Sequence, residues 1–209
     1  IDEVVAAPGG ALQALGTRQL KWPGHGHGAM RPLQFVEGEY MKAEEYDEFL
    51  LDPSGFALSK YLPRVFGALE SFGRLPPPSS LLPGAFGTGL TATLHDPAVE
   101  AAFEALFKAA KVSSAWYAAY LQFVEKLEGL GFPCYTSTVV EAPFDMLATS
   151  MRGMRGTMID MYRRPKKLHA AMERIQMLQL PEAIAAAKSS GNPKVTLLLF
   201  RGSDGSMSL

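Results

Sequence analysis

The chain holds one cysteine, Cys134, in 209 residues. A lone thiol excludes an internal disulfide framework and any multi-cysteine zinc knuckle within these residues, and it fits a reducing, cytoplasmic setting. Neither sign of charge is in excess: 20 Lys and Arg stand against 21 Asp and Glu, a formal net charge of -1. That balance leaves no electrostatic footprint for nucleic acid or an anionic membrane surface, and neither is expected as a partner. Long hydrophobic runs are missing as well. No apolar stretch reaches the roughly 18 residues of a membrane helix, and the N-terminus lacks the charged-then-apolar layout of a signal peptide. Repeats of fixed period and low-complexity tracts are also absent.

What is present is a globular composition, 47% apolar and 20% charged, enough to bury a core. The opening IDEVVAAPGG reads as the end of a buried strand entering a Pro-Gly-Gly turn, followed by a short helix closed by Gly16. Residues 42–73 read as helical segments split at Asp52-Pro53, because proline disfavours the helical state in the residue before it. RLPPPSSLLPGAFGTG is an internal loop. From Asp96 to Leu130 the spacing of Phe103, Leu106, Phe107 and Ala110, then Tyr117, Tyr120, Leu121, Val124 and Leu127, predicts two amphipathic helices stopped by Gly129 and Gly131. FPCYTSTVVEAPFD predicts a buried strand emptying into a loop at Ala-Pro. A helix is predicted from Pro165, since proline suits the first helical position, and LPEAIAAAKSSGN predicts another. PKVTLLLF is a last apolar strand, running into RGSDGSMSL.

Three strand-like runs without polar alternation, separated by large helical connections, indicate parallel strands covered on both faces. The expected class is α/β of the (β/α)8 barrel type. In such a barrel the site gathers at the C-terminal strand ends, here DEVVAAPGG, VVEAPFD and LLLFRGSDG. A closed barrel takes about 250 residues and eight strands, so the barrel is expected to be incomplete in these residues. The start at Ile1 rather than Met fits a piece of a longer chain, or one whose exposed sheet edges another chain covers.

Taken in order, these segments resemble the uroporphyrinogen decarboxylase superfamily. IDEVVAAPGGALQALG resembles the family's strand with an aspartate near its end and an Ala-Leu-Gly helix after it, and WPGHG its Pro-Gly-x-Gly loop. VVEAPFDMLATSMRGMRG is similar to the Gly-Ala-Pro-(aromatic)-Thr segment. DMYRRPKKLHAAME matches a Tyr-x-x-Pro-x-x-x-His helix entry, and LLLFRGSDG resembles the strand carrying the next substrate-facing loop. The resemblance covers residues 1–209 as one domain. It implies a (β/α)8 barrel, a homodimer, and cofactor-free decarboxylation of tetrapyrrole acetate side chains in porphyrin biosynthesis. A carboxylate in an apolar cleft, at the position of Asp2, would stabilise the cation formed when a pyrrole ring is protonated. His25, Thr149, Phe200, Arg201, Gly202 and Asp204 are the implied substrate-binding positions, with cationic side chains anchoring the substrate's carboxylates. The chain departs from the pattern where Thr149 stands for a family tyrosine and Gly202 for a serine. The same superfamily includes corrinoid-dependent methyltransferases, whose zinc and cobalamin form the alternative cofactor set, acting on a corrinoid-linked methyl group. A non-catalytic fragment or binding protein is the rival from another class.

Each of these positions also has a plainer reading. His25 and His27, in the glycine-rich WPGHGHG, could pair on a metal, face a substrate, or shape a turn, and Pro32 argues against a phosphate cradle opening a helix. Asp2 could cap a turn. Arg152 and Arg155, at i, i+3, could grip carboxylates, form a solvated face or pair with Asp145. Arg201 and Asp204 could bond each other. Cys134 reads as an inert core thiol ahead of a nucleophile, and the ten methionines as core filler.

Overall fold

The computed structural model describes residues 9–24, 33–76, 88–132, 138–189 and 196–199. The chain divides into two compact units, Ile1–Tyr40 with Leu51–Ala118 and Met41–Leu50 with Ala119–Leu209.

In the first unit, α1 (Gly10–Ala14) ends where Gly16 takes a φ of 65°, a left-handed conformation that glycine adopts without steric cost. Strands β1 (Leu20–Lys21) and β2 (Gln34–Phe35) pair antiparallel, Leu20 opposite Phe35, and so close the glycine-rich loop at its base. Residues Met41–Leu50 belong to the second unit: there a turn of 3-10 helix (Ala43–Glu45) leads into α2 (Tyr46–Leu51), which stops before Pro53 as the sequence predicts, and the chain re-enters the first unit at Leu51. Asp52 then caps α3 (Pro53–Phe56), its Oδ1 accepting the Gly55 N–H at 2.9 Å. A wider π-helical turn (Ala57–Tyr61) joins α3 to α4 (Leu62–Val65). The Arg18 guanidinium closes the end of α4, donating to the carbonyls of Arg64 at 2.9 Å and Pro63 at 3.2 Å while reaching Glu70 at 3.1 Å.

A 3-10 segment (Gly67–Arg74) then packs against α4 and the long helix that follows Asp96. After α5 (Thr88–Leu94), Asp96 caps α6 (Pro97–Gly129), accepting the Ala98 N–H at 2.9 Å. The core of this unit joins Leu15, Leu69, Phe72 and Leu75 to Val99, Ala102 and Ala109 of α6. Phe72 and Phe103 meet with ring centroids 4.8 Å apart and planes tilted by 49°.

In the second unit, β3 (Thr138–Glu141) runs into α7 (Pro143–Asp145), a π-helical turn (Met146–Met151), α8 (Met154–Arg163) and α9 (Pro165–Ser189), and returns as β4 (Thr196–Leu199). β3 and β4 pair in parallel, from Thr138 opposite Thr196 to Glu141 opposite Leu199. This is a β-α-β unit, and it buries Leu147, Ala148, Met151, Leu168, Ala171 and Ile175.

The architecture corrects the barrel expectation. Among the described residues the chain is overwhelmingly helical, with one parallel pair and one two-residue antiparallel ladder in place of a (β/α)8 barrel. The two apolar runs 138–141 and 196–199 do form parallel strands. A parallel pair with a helical crossover is a local solution, however, and says nothing about closure. The intervening sequence, with its 3.6-residue periodicity, makes helices packed on helices. Two finer expectations also change. Residues 97–129 form one helix, since nothing between Ala110 and Tyr117 interrupts the hydrogen-bond ladder, and α9 continues through Pro181, because strong helix formers on both sides hold the helix across one missing donor. No helix among the described residues is long and apolar enough to cross a membrane. The opening strand-like run lies outside the described residues, as does most of the Pro-rich loop.

Candidate functional site

The second unit brings the sequence's Ala-Pro segment to one end of the parallel pair. β3 delivers Glu141 at its C-terminal end, in register with Leu199. Ala142 turns the chain, and Pro143 starts α7 at a position where a missing N–H costs nothing. The π-helical turn that follows re-aims its side chains relative to an ordinary helix, a distortion frequent at functional sites. Its Thr149 hydroxyl bonds the Asp145 carbonyl one turn back and lies 3.4 Å from Glu141 Oε1. In the family segment that VVEAPFD resembles, a glycine stands where this chain has Glu141.

Beside this strand end a cleft of about 810 Å³ runs along α9, within the size range of small-molecule sites. Phe144, Met172, Leu180 and Ile184 give it an apolar wall, and Glu141, His169 and Glu173 are its ionisable members. A smaller cavity of about 420 Å³ shares Glu141 and Gln179 with it and adds Glu182. His169 is the histidine of the Tyr-x-x-Pro-x-x-x-His stretch. Tyr162, which opens that stretch, is 87% exposed and stands clear of the cleft.

A second polar cluster lies within the same unit. Asp160, fully buried, accepts from Arg152 Nε at 2.7 Å, from Tyr46 at 3.1 Å and from Arg164 at 3.0 Å. The carboxylate meets three donors, which is what a buried charge requires. Burial pushes the Tyr46 phenol well above its ordinary range, and the negative charge of Asp160 adds to the effect. Arg152 is thus committed to Asp160 inside the protein, whereas Arg155 is exposed.

Of the positions drawn from the sequence, Thr149 falls in this unit, next to Glu141. Asp2, His25, His27, Cys134, Phe200, Arg201, Gly202 and Asp204 lie outside the described residues. Trp22, at the head of the glycine-histidine loop, packs over Gly9, where a Cβ would come within 2.0 Å of the indole. Among the described residues no group of three His, Cys, Asp or Glu side chains could hold a metal ion. Sequence reading gave His169 only as part of a motif and passed over Glu141 and the Asp160 cluster. The i, i+4 spacing of Asp160 and Arg164 was a readable signal for part of that cluster, while the Tyr46 contact had none. The chain matches no protein-family model, no curated protein and no solved structure.

Proposed function

We propose that the chain is an enzyme of the uroporphyrinogen decarboxylase superfamily, removing carboxyl groups from the acetate side chains of a tetrapyrrole without a cofactor. One observation carries the reading: the parallel register of β3 and β4, which ends Glu141 opposite Leu199. Three of the family-like segments fall on this single β-α-β unit in the family order. The Ala-Pro turn follows β3, the Tyr-x-x-Pro-x-x-x-His stretch spans the junction of α8 and α9, and LLLFRGSDG begins in β4. The reading rests on this unit and needs no closed barrel.

The chemistry asks for two things at such a strand end. Protonation of a pyrrole ring makes a cation, the bond to the acetate carboxyl then breaks with loss of carbon dioxide and leaves a neutral exocyclic methylene, which takes up a proton to become a methyl group while the ring carbon gives up the proton it first took. A carboxylate held in a dry site stabilises the cation, a role assigned to Asp2. Cationic side chains hold the substrate's other carboxylates, and Arg201, two residues beyond the end of β4, is placed in sequence to do so. His25, Thr149, Phe200, Gly202 and Asp204 complete the proposed substrate surface.

The test is incubation of the full chain with uroporphyrinogen under reducing conditions, following stepwise loss of carboxyl groups. Appearance of products with fewer carboxyl groups supports the reading. No loss of carboxyl groups, together with methyl transfer from methylcobalamin to a thiol in a parallel assay with zinc, assigns the corrinoid-dependent alternative. Inactivity in both assays leaves a binding protein.

A further inference from the structure

We propose that the second half of α6 pairs antiparallel with the same stretch of a second copy of this chain. The period of the helix gives the first part of the argument. Val99, Ala102, Leu106 and Ala109 recur at alternating steps of three and four residues, and the same register continues past Ser113 to Trp116, Tyr120, Phe123 and Leu127. An apolar seam of this kind is a surface for another helix. Its first half has one: Val99, Ala102 and Ala109 share a core with Leu69, Phe72 and Leu75, and Leu106 packs against it. Along the second half the seam faces solvent, with Phe123 58% exposed, Tyr120 40% and the neighbouring Leu121 47%.

Register, charge and area select the occupant. An antiparallel copy centred between Leu121 and Gln122 lays Trp116 on the second copy's Leu127 and Tyr120 on its Phe123, and two-fold symmetry repeats each contact. Every layer is apolar. The residues flanking the seam, Tyr117, Ala119, Val124 and Lys126, carry one charge per copy, and the two lysines of the pair stand roughly 14 Å apart along the axis, so no like charges meet. A parallel copy fits less well, because its first half would run against the part of the seam that Leu69, Phe72 and Leu75 already hold. The antiparallel overlap involves residues 113–130 alone. Large side chains bury roughly 150 to 250 Å² each, so the half-exposed ones along this stretch offer roughly 500 Å² per copy, about 1,000 Å² for the pair, the least that a specific dimer needs. The dimer is therefore weak, half formed at a concentration on the order of 100 µM. The inference is drawn from α6 and does not rest on the decarboxylation reading: a dimer without activity and activity in a monomer each decide one question.

The experiment is sedimentation equilibrium of the full chain between roughly 5 and 500 µM, where the parent passes from monomer to dimer. Phe123→Glu, which sets a charge on the seam, weakens pairing at least about tenfold. Phe107→Glu changes an aromatic that is 63% exposed on the same helix but one residue off the seam, and it leaves pairing unchanged. Thermal melts of both variants should match the parent, since each replaces an exposed side chain. Spin labels test the register independently of either variant. In a Cys134→Ser chain, a nitroxide attached at Gln122→Cys reports a much shorter distance between copies than one at Ser114→Cys, because the 114 sites of the antiparallel pair lie roughly 22 Å apart along the axis. A parent chain that is monomeric at the highest concentration, which would give the seam to a different protein, overturns the proposal. Equal weakening by the two glutamate variants, or equal distances at the two labels, overturns it as well.

Discussion

Tyr46 donates its phenolic hydrogen to Asp160 at 3.1 Å, joining two residues 114 positions apart in sequence. The carboxylate that receives it is fully buried and also holds Arg152, itself only 6% exposed. A buried pair of this kind adds little net stability while intact, yet it is costly to break, because the surviving charge has nowhere to go. The pair therefore decides how the second unit responds to mutation.

Asp160→Ala is expected to destabilise the chain by about 3 to 5 kcal/mol, since it removes a buried counter-charge from the Arg152 guanidinium. Tyr46→Phe removes one hydrogen bond and leaves the ion pair, costing about 1 kcal/mol. Urea unfolding of the three chains measures both. Equal losses in the two variants would mean that the phenol, and not the ion pair, holds the cluster.

The same phenol sets a pH dependence. Burial and the Asp160 charge raise the folded-state pKa of Tyr46 above the ordinary 10.0, with Arg152 opposing. Below pH 10 the phenol is protonated in both states and its contribution is fully present. As pH rises past 10 the unfolded phenol ionises first, so stability falls, by at most about 1.4 kcal/mol per pH unit from this group. Comparing urea midpoints of the parent chain and Tyr46→Phe between pH 9 and 11 isolates the effect from the other tyrosines. The parent's advantage should shrink over that interval. A constant gap would contradict the assignment.

Gly156 shows why a favourable local substitution fails here. In an exposed helix interior, Gly→Ala gains up to about 1 kcal/mol. Within α8, however, a Cβ on Gly156 would stand 2.6 Å from Arg152 Nη1 and 2.8 Å from its Cζ. The guanidinium tip of an exposed arginine would swing away at little cost. This one is pinned at 2.7 Å to a buried carboxylate. Overpacking of this kind costs about 1 to 3 kcal/mol, so Gly156→Ala should come out destabilising, and thermal melts alongside Arg152→Lys test whether the arginine is the cause. A stabilised Gly156→Ala chain would show the guanidinium to be mobile.

The local punctuation of the fold could be read from the sequence, and its architecture could not. Gly16 stops α1, Asp52-Pro53 separates α2 from α3, Pro165 opens α9, and the runs at 138–141 and 196–199 are parallel strands, each as steric and periodic rules require. The barrel was an extrapolation from those strands, and strand pairing carries no information about how many neighbours a sheet will have. The candidate site was hidden for a related reason. Glu141 looks like any polar residue at the end of a strand until α9 is laid beside it, and Glu173 looks like part of a solvated helix until it is seen to line the same cleft as Glu141 and His169. Tyr46 meets Asp160 only through tertiary packing, which neither spacing nor composition encodes.

For the proposed decarboxylation, the variant that tests the assignment is Asp2→Asn. An amide keeps the shape of the carboxylate and removes its charge, so a cation developing on the substrate loses one preorganised partner. Losses of that kind run to about 3 to 4 kcal/mol of transition-state stabilisation, roughly 10² to 10³ in rate. Substrate affinity and the urea midpoint should stay close to those of the parent chain, which separates an electrostatic role from a structural one. Glu141→Gln provides the internal comparison: it neutralises a carboxylate at a strand end that the family segment fills with glycine. If Asp2 is the stabilising group, Asp2→Asn slows carboxyl loss and Glu141→Gln spares most of it. If the order is reversed, the cation forms beside Glu141 and Thr149, and the catalytic assignment passes from the N-terminal segment to the end of β3.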